Sequence, residues 1–180
     1  MEVKRVFIAM PAGLELTEFA AGFRRAHAEL NVRWIRPENL HVTMVPPWEV
    51  QETDPVCRAL EGIAAAHAPV SVHFDTVSFG PDARRPKLVW ATGKAPAALT
   101  ELSAGLRSSF GSGAEARRKF LFHLTLARLN RQSISSSGDL KLRGAVEWHG
   151  LLDTLCLYES ILKPSGAEYR VLCRCPLSGS

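Results

Sequence analysis

The sequence predicts an α+β fold built from largely antiparallel sheets. Three observations predict it. Strand-like and helix-like segments are mixed along the chain rather than strictly alternating. Three stretches of helical length carry apolar stripes between those strands. A short pattern also occurs twice, at residues 39–44 (Asn-Leu-His-Val-Thr-Met) and 121–126 (Leu-Phe-His-Leu-Thr-Leu). Each copy sets a His and a Thr in an apolar frame. One echo at this distance is not a solenoid repeat, so two lobes related by a pseudo-twofold axis explain it better.

Each element has a local reason. Residues 3–10 are β-branched and aromatic, and Pro11 and Gly13 punctuate them. Residues 14–30 place Leu14, Phe19, Phe23, Ala26 and Leu30 near helical spacing. Residues 34–37 are extended, and 39–45 form a strand that Pro46-Pro47 must end or bulge, because proline donates no ladder bond. Residues 53–67 read as a helix with Ala59, Leu60, Ile63, Ala64 and Ala66 available for packing. Residues 70–79 alternate as a strand, and Gly80-Pro81-Asp82 is a turn signal. A strand at 86–92 leads to a helix at 96–110, striped by Leu99, Leu102, Leu106 and Phe110 and closed by Gly111-Ser112-Gly113. Residues 120–126 form a strand and 133–139 a polar loop of small residues, a candidate mobile connection. Residues 148–162 contain one more strand, and 169–175 the last.

Bulk properties narrow the class. The chain has 180 residues, 46% hydrophobic and 22% charged, with a net charge of +4. That suits a folded domain with a mild basic bias, compatible with a polyanionic ligand. No apolar run approaches the roughly 20 residues of a spanning helix, so no membrane partner is expected. The apolar part of the N-terminus is too short for a signal peptide. Cys57, Cys156, Cys173 and Cys175 lack zinc-ribbon spacing. The expectation is a reduced, cytoplasmic chain with packing cysteines and no metal or other cofactor. No interface-like stripe stands out, so a monomer is expected.

The chemistry lies in the repeated motif. Side chains alternate along a strand, so His41 and Thr43 share one face while Val42 and Met44 share the other. His123 and Thr125 face together in the same way, against Phe122, Leu124 and Leu126. Each pair spans roughly 6.5–7 Å, enough to address one phosphate. The imidazole moves protons and the hydroxyl donates to a phosphoryl oxygen. One His cannot take a proton from water and give one to a leaving group in a single step, but two across a phosphorus can. Histidines 27, 67, 73 and 149 lack such a frame and are expected to be non-catalytic, His27 and His67 in capping or surface roles near helix ends and His73 towards solvent.

At these residues the chain resembles the 2H phosphoesterase superfamily, and within it the RNA 2′,3′-cyclic phosphodiesterases of bacteria and archaea, also called 2′–5′ RNA ligases. Five segments carry the resemblance. They are Val6-Phe7-Ile8-Ala9, Trp34 through Thr43, Phe79 through Trp90, Phe122 through Arg128, and Leu157 through Tyr169. The resemblance implies one bilobal domain over residues 1–180, with two antiparallel sheets lining a central cleft and helices packed outside. It implies metal-independent hydrolysis of RNA 2′,3′-cyclic phosphate ends to 2′-phosphomonoesters, possible in reverse as 2′–5′ ligation. His41 is then the proton donor and His123 the proton acceptor. Thr43, Thr125 and Arg128 bind phosphate oxygens. Arg128 lies five positions beyond His123, so it needs a twist or bulge after Leu126 to face the cleft. The family's aromatic residue after the first motif is absent here. Trp48 either replaces it against a nucleobase or caps the core. Arg84, Arg85, Lys87 and the run 117–119 are candidates to track an RNA backbone. Two other readings stay open: a phosphodiesterase for small cyclic phosphates such as ADP-ribose 1″,2″-cyclic phosphate, and a non-catalytic nucleotide- or RNA-binding module.

Overall fold

The computed structural model describes residues 3–82, 84–111, 119–129, 142–163 and 166–180. Its strands are β1 (Lys4–Pro11), β2 (Arg33–Trp34), β3 (His41–Val50), β4 (Val70–Gly80), β5 (Leu88–Thr92), β6 (His123–Arg128), β7 (Arg143–Leu152), β8 (Thr154–Lys163) and β9 (Gly166–Pro176). Its helices are α1 (Leu14–Ala26), α2 (Asp54–Ala65) and α3 (Ala97–Phe110), and a 3₁₀ turn spans Pro37–Asn39. The 133–139 loop, residues 112–113 and residues 117–118 lie outside the described residues.

The strands form two sheets, ordered β3-β1-β8-β9 and β2-β6-β5-β4-β7, in which every pairing is antiparallel. The α+β expectation therefore holds. Leaving out the short β2, the orders correspond strand for strand. Each sheet starts from a motif strand, β3 or β6, and has two further strands beyond the neighbour. Helix α1 packs on β7 and α2 on β9, the far edge of each sheet. That correspondence is the pseudo-twofold anticipated from the repeated motif. The larger core runs between sheets and helices, built on Ile8, Met10, Met44, Leu60, Phe74, Leu99, Leu106 and Leu124, and a smaller cluster gathers Phe7, Ala9, Cys156 and Tyr158.

Several expectations are corrected. The first helix stops at Ala26, where His27 caps it. Its buried stripe is Leu16 and Ala20, while Leu14 is 75% exposed. The reason is Gly150 on β7. A Cβ there would lie 2.6 Å from Leu16 Cγ, so the missing side chain makes the slot that Leu16 fills. Of the two outcomes expected at Pro46-Pro47, the strand takes the bulge and continues beyond the expected end at 45 to Val50. The region 148–162 holds two strands in different sheets, β7 and β8, with Asp153 at the corner. Finally, Cys57 and Cys173 are not packing thiols. They form a disulfide that ties α2 to β9, with Cα atoms 6.1 Å apart, whereas Cys156 and Cys175 are free and buried.

Candidate active site

The two motif strands place their polar faces in one cleft of about 390 Å³. His41, Thr43, His123, Thr125 and Arg128 all line it, with Arg5, Phe7, Arg33, Pro47 and Tyr169 completing the wall. The opposite faces are core: Val42, Met44, Leu124 and Leu126 are each at most 2% exposed. Strand alternation thus does what the sequence implied, with apolar anchors behind and reactive groups in front.

The two half-sites match in detail. The Nδ1–H of His41 donates to the carbonyl of Asn39 at 2.7 Å, and that of His123 to the carbonyl of Leu121 at 2.8 Å. A carbonyl only accepts, so Nδ1 carries the hydrogen in each neutral ring. Nε2 is left as the atom that can take or give a proton in the cleft. Each ring also leans on an aromatic from the adjacent strand. Phe7 lies 5.3 Å from His41 and Trp90 lies 5.2 Å from His123, both tilted. Trp90 is held by a bond from its Nε1 to Ser78 Oγ at 3.2 Å, and Gly80 leaves room for its indole.

Both motif strands bulge one residue after the threonine. In β3, Ala9 faces Thr43 but Ile8 faces Val45, so Met44 is the extra residue. In β6, Trp90 faces Thr125 but Val89 faces Ala127, so Leu126 is the extra residue. A bulge shifts side-chain parity by one. It turns Arg128 onto the cleft face, which strict alternation would forbid. The same shift in β3, compounded by a second irregularity at Pro46-Pro47, sets Trp48 opposite Val6 on the core side. Trp48 stacks on Phe110 of α3 at 6.1 Å and is not among the cleft residues. The structure thus places Trp48 on the core side, and the residue after the first motif that lines the cleft is Pro47.

Burial pushes the pKa of His41 down to about 4, with further lowering from the nearby His123 and Arg128, against an opposing bond to Asn39. His123 is also lowered from its usual 6.5, by burial first and Arg128 next, with the bond to Leu121 opposing. Without an anion in the cleft, both rings therefore favour the neutral form at pH 7.

Phe7, Arg5, Arg33 and Tyr169 escaped the sequence reading as site residues. Phe7 had a visible signal: it alternates with Val6 and Ile8, so it faces the side of the sheet that carries His41. It stacks with Tyr158 at 5.0 Å and meets Tyr169 edge-on at 4.9 Å. Arg33 and Tyr169 gave no local signal, because they reach the cleft only through sheet pairing. Arg84, Arg85 and Lys87 are exposed and do not line the cleft. His27 and His67 cap helix ends through bonds to Phe23 and Ile63, as expected. Among the described residues, no helix is long and apolar enough to cross a membrane.

Known proteins resemble this chain in sequence and fold. The chain is 23% identical to an RNA 2′,3′-cyclic phosphodiesterase of Aquifex aeolicus over 96% of each protein. It is 30% identical to one of Geobacillus stearothermophilus over 71% of this chain and 43% of that protein. Among solved structures, TT0787 of Thermus thermophilus matches with a TM-score of 0.80 at 24% identity, over 97% of this chain and 98% of that one. E. coli LigT in complex with phosphate matches with a TM-score of 0.70 at 26% identity, over 99% of each chain. The family model of the 2′–5′ RNA ligase superfamily matches residues 15–161, a span containing both histidine motifs and both bulges. On that match, and on the paired half-sites that explain it, the chain belongs to the 2′–5′ RNA ligase superfamily of 2H phosphoesterases.

Proposed function

We propose that the chain is a phosphodiesterase that opens RNA 2′,3′-cyclic phosphate ends to 2′-phosphomonoesters. The observation that carries this reading is the pair of imidazoles, each with Nδ1 tied to backbone and Nε2 left to a shared cleft. The names of the relatives and the phosphate bound to E. coli LigT support the substrate class.

In the proposed step, His123 Nε2 takes a proton from water as the oxygen attacks phosphorus. The P–O3′ bond breaks, and His41 Nε2 gives its proton to O3′. One water is consumed, and the products are a 2′-phosphate and a free 3′-hydroxyl. Thr43 and Thr125 donate to non-bridging oxygens, and Arg128 offsets the charge that grows on them. The same groups in reverse order would join a cyclic end to a 5′-hydroxyl, but water in excess favours hydrolysis. The acid role needs a protonated His41, which its low pKa disfavours in the empty cleft. An entering phosphodiester anion supplies the remedy, since an opposite charge at about 4–6 Å raises a pKa by roughly 1–3 units. The repeated motif then makes each lobe of a single domain responsible for one proton.

The cleft opens into a second hollow lined by Arg36, Glu38, Lys163 and Glu168, sharing Arg33, Arg128 and Tyr169. Arg36 and Lys163 are paired with the two glutamates, and the side bearing Arg33 and Arg128 is the proposed exit path for the RNA backbone. The test is an oligonucleotide with a 2′,3′-cyclic phosphate end, incubated with the protein in EDTA. The expected product carries a 2′-phosphate. A 3′-phosphate would reverse the leaving group, and strict metal dependence would overturn the mechanism.

A further inference from the structure

A second cluster of chemistry-bearing side chains lies on the same five-stranded sheet. His73 of β4 is the direct cross-strand partner of His149 of β7, and their rings stack at 4.4 Å and 8°. Glu147 stands two residues before His149 and so shares its face. Phe74 and Trp148, their neighbours in sequence, point into the core. The three therefore project from the face opposite the core, the face that carries His123. Strand β7 forms the far edge of this sheet and β6 lies three strands away, so the cluster is distinct from the cleft.

One nitrogen, one carboxylate oxygen and a second nitrogen lie within 4.8 Å of one another. The Nε2 of His73 is 2.9 Å from Glu147 Oε2, and the Nε2 of His149 is 3.8 Å from the same oxygen. These distances straddle the spacing of about 3.3 Å between donors bonded to one zinc ion at roughly 2.0–2.1 Å. The His73 nitrogen is buried, yet its approach to Glu147 does not have hydrogen-bond geometry, and no other partner among the described residues satisfies it. A buried polar atom without a bond is a standing cost to the fold. Converging lone pairs around an unfilled point are what a cation would resolve. The backbone beneath is a paired antiparallel ladder, with a register irregularity between Phe74 and Thr76 beside Glu147.

We propose that His73, Glu147 and His149 form a binding site for a first-row transition-metal ion, Zn²⁺ foremost. Two imidazoles and a carboxylate suit zinc, nickel or copper rather than magnesium or calcium, which prefer all-oxygen shells. Three protein ligands leave at least one position for water or an exogenous oxygen ligand. The site is separate from the proposed hydrolysis, which uses no metal.

Equilibrium competition of Zn²⁺ against a chromogenic chelator tests it, with Co²⁺ absorption as a second readout of coordination. The wild-type chain is expected to bind one equivalent. His149→Ala and Glu147→Gln should each weaken binding by at least about tenfold, since even outer-shell partners are worth that much. His41→Ala should bind as the wild type does. Glu147 is 79% exposed, so Glu147→Gln keeps the fold while removing the charge. Wild-type affinity in both cluster variants, or loss of binding in His41→Ala, would overturn the assignment.

Discussion

The two halves of the cleft share a motif, a bulge and a tethered imidazole, but they are held in different ways. At the second motif, the carbonyl exposed by the bulge, that of Leu126, accepts a bond from the backbone N–H of Ile35 at 2.9 Å. At the first, among the described residues, the equivalent carbonyl of Met44 has no such strand beside it. Two buried side chains of α3 bind it instead, Ser103 Oγ at 3.2 Å and Arg107 Nε at 3.0 Å. Three residues after its threonine, the second motif offers Arg128 and the first offers Pro46. His41 sits among Phe7, Tyr158 and Tyr169, whereas among the described residues His123 leans on Trp90 alone. One half is thus an aromatic setting that resists charge, and the other carries a fixed cation. A symmetric sequence motif has been given asymmetric electrostatics by what surrounds it.

Removing either imidazole should produce the largest effect. His41→Ala and His123→Ala should each lower kcat by about 10²–10⁴-fold. Because they act on one step, the double variant should lose far less than the product of the two losses. Multiplicative losses in single-turnover assays would break the claim that they work as a pair.

Arg128→Met should follow, at about 10²–10³-fold in kcat/KM, the usual loss for one transition-state donor. It also has a pH signature. The reactive state holds one proton between two imidazoles whose pKa values both lie below 6.5. The profile of kcat/KM should therefore peak on the acid side of pH 6.5. Arg128 depresses both values, so its removal should move the optimum upward. An unchanged optimum would mean that the guanidinium does not act on the histidines.

Arg107→Ala sharpens the contrast between the bulges. It leaves the buried Met44 carbonyl to Ser103, and should cost about 1–3 kcal/mol of stability. It should also lower kcat through the His41 half, while the His123 ring resonances in the NMR spectrum stay in place. Trp48→Ala should have the smallest effect on catalysis. It removes a half-buried ring from Phe110 and should lower the melting temperature, with KM for cyclic-phosphate oligonucleotides unchanged. A raised KM without loss of stability would return Trp48 to the nucleobase.

The histidines and threonines were legible because strand alternation is local, and two residues suffice to set a face. Arg128 was legible only conditionally, because its position depends on a bulge that the sequence does not mark. Trp48 was ambiguous for the same reason, since successive irregularities in β3 move it to the core. The strands β7 and β8 merged into one in the sequence because Asp153 is a weak break between two apolar runs, and only tertiary pairing assigns them to different sheets. Cys57 and Cys173 are 116 residues apart. Nothing local links them, so their disulfide escaped a reading based on cysteine spacing. His73 and His149 each carry no signal alone, and only the β4–β7 register makes them neighbours.

The division of labour between His41 and His123 is the central claim, and a substrate that needs no acid tests it most directly. Sulfur at the bridging 3′ position of the cyclic phosphate leaves as a thiolate without protonation. On that substrate His41→Ala should recover most of the wild-type rate, while His123→Ala should stay as slow as on the oxygen substrate. Rescue of His123→Ala instead, or of neither variant, would contradict the account.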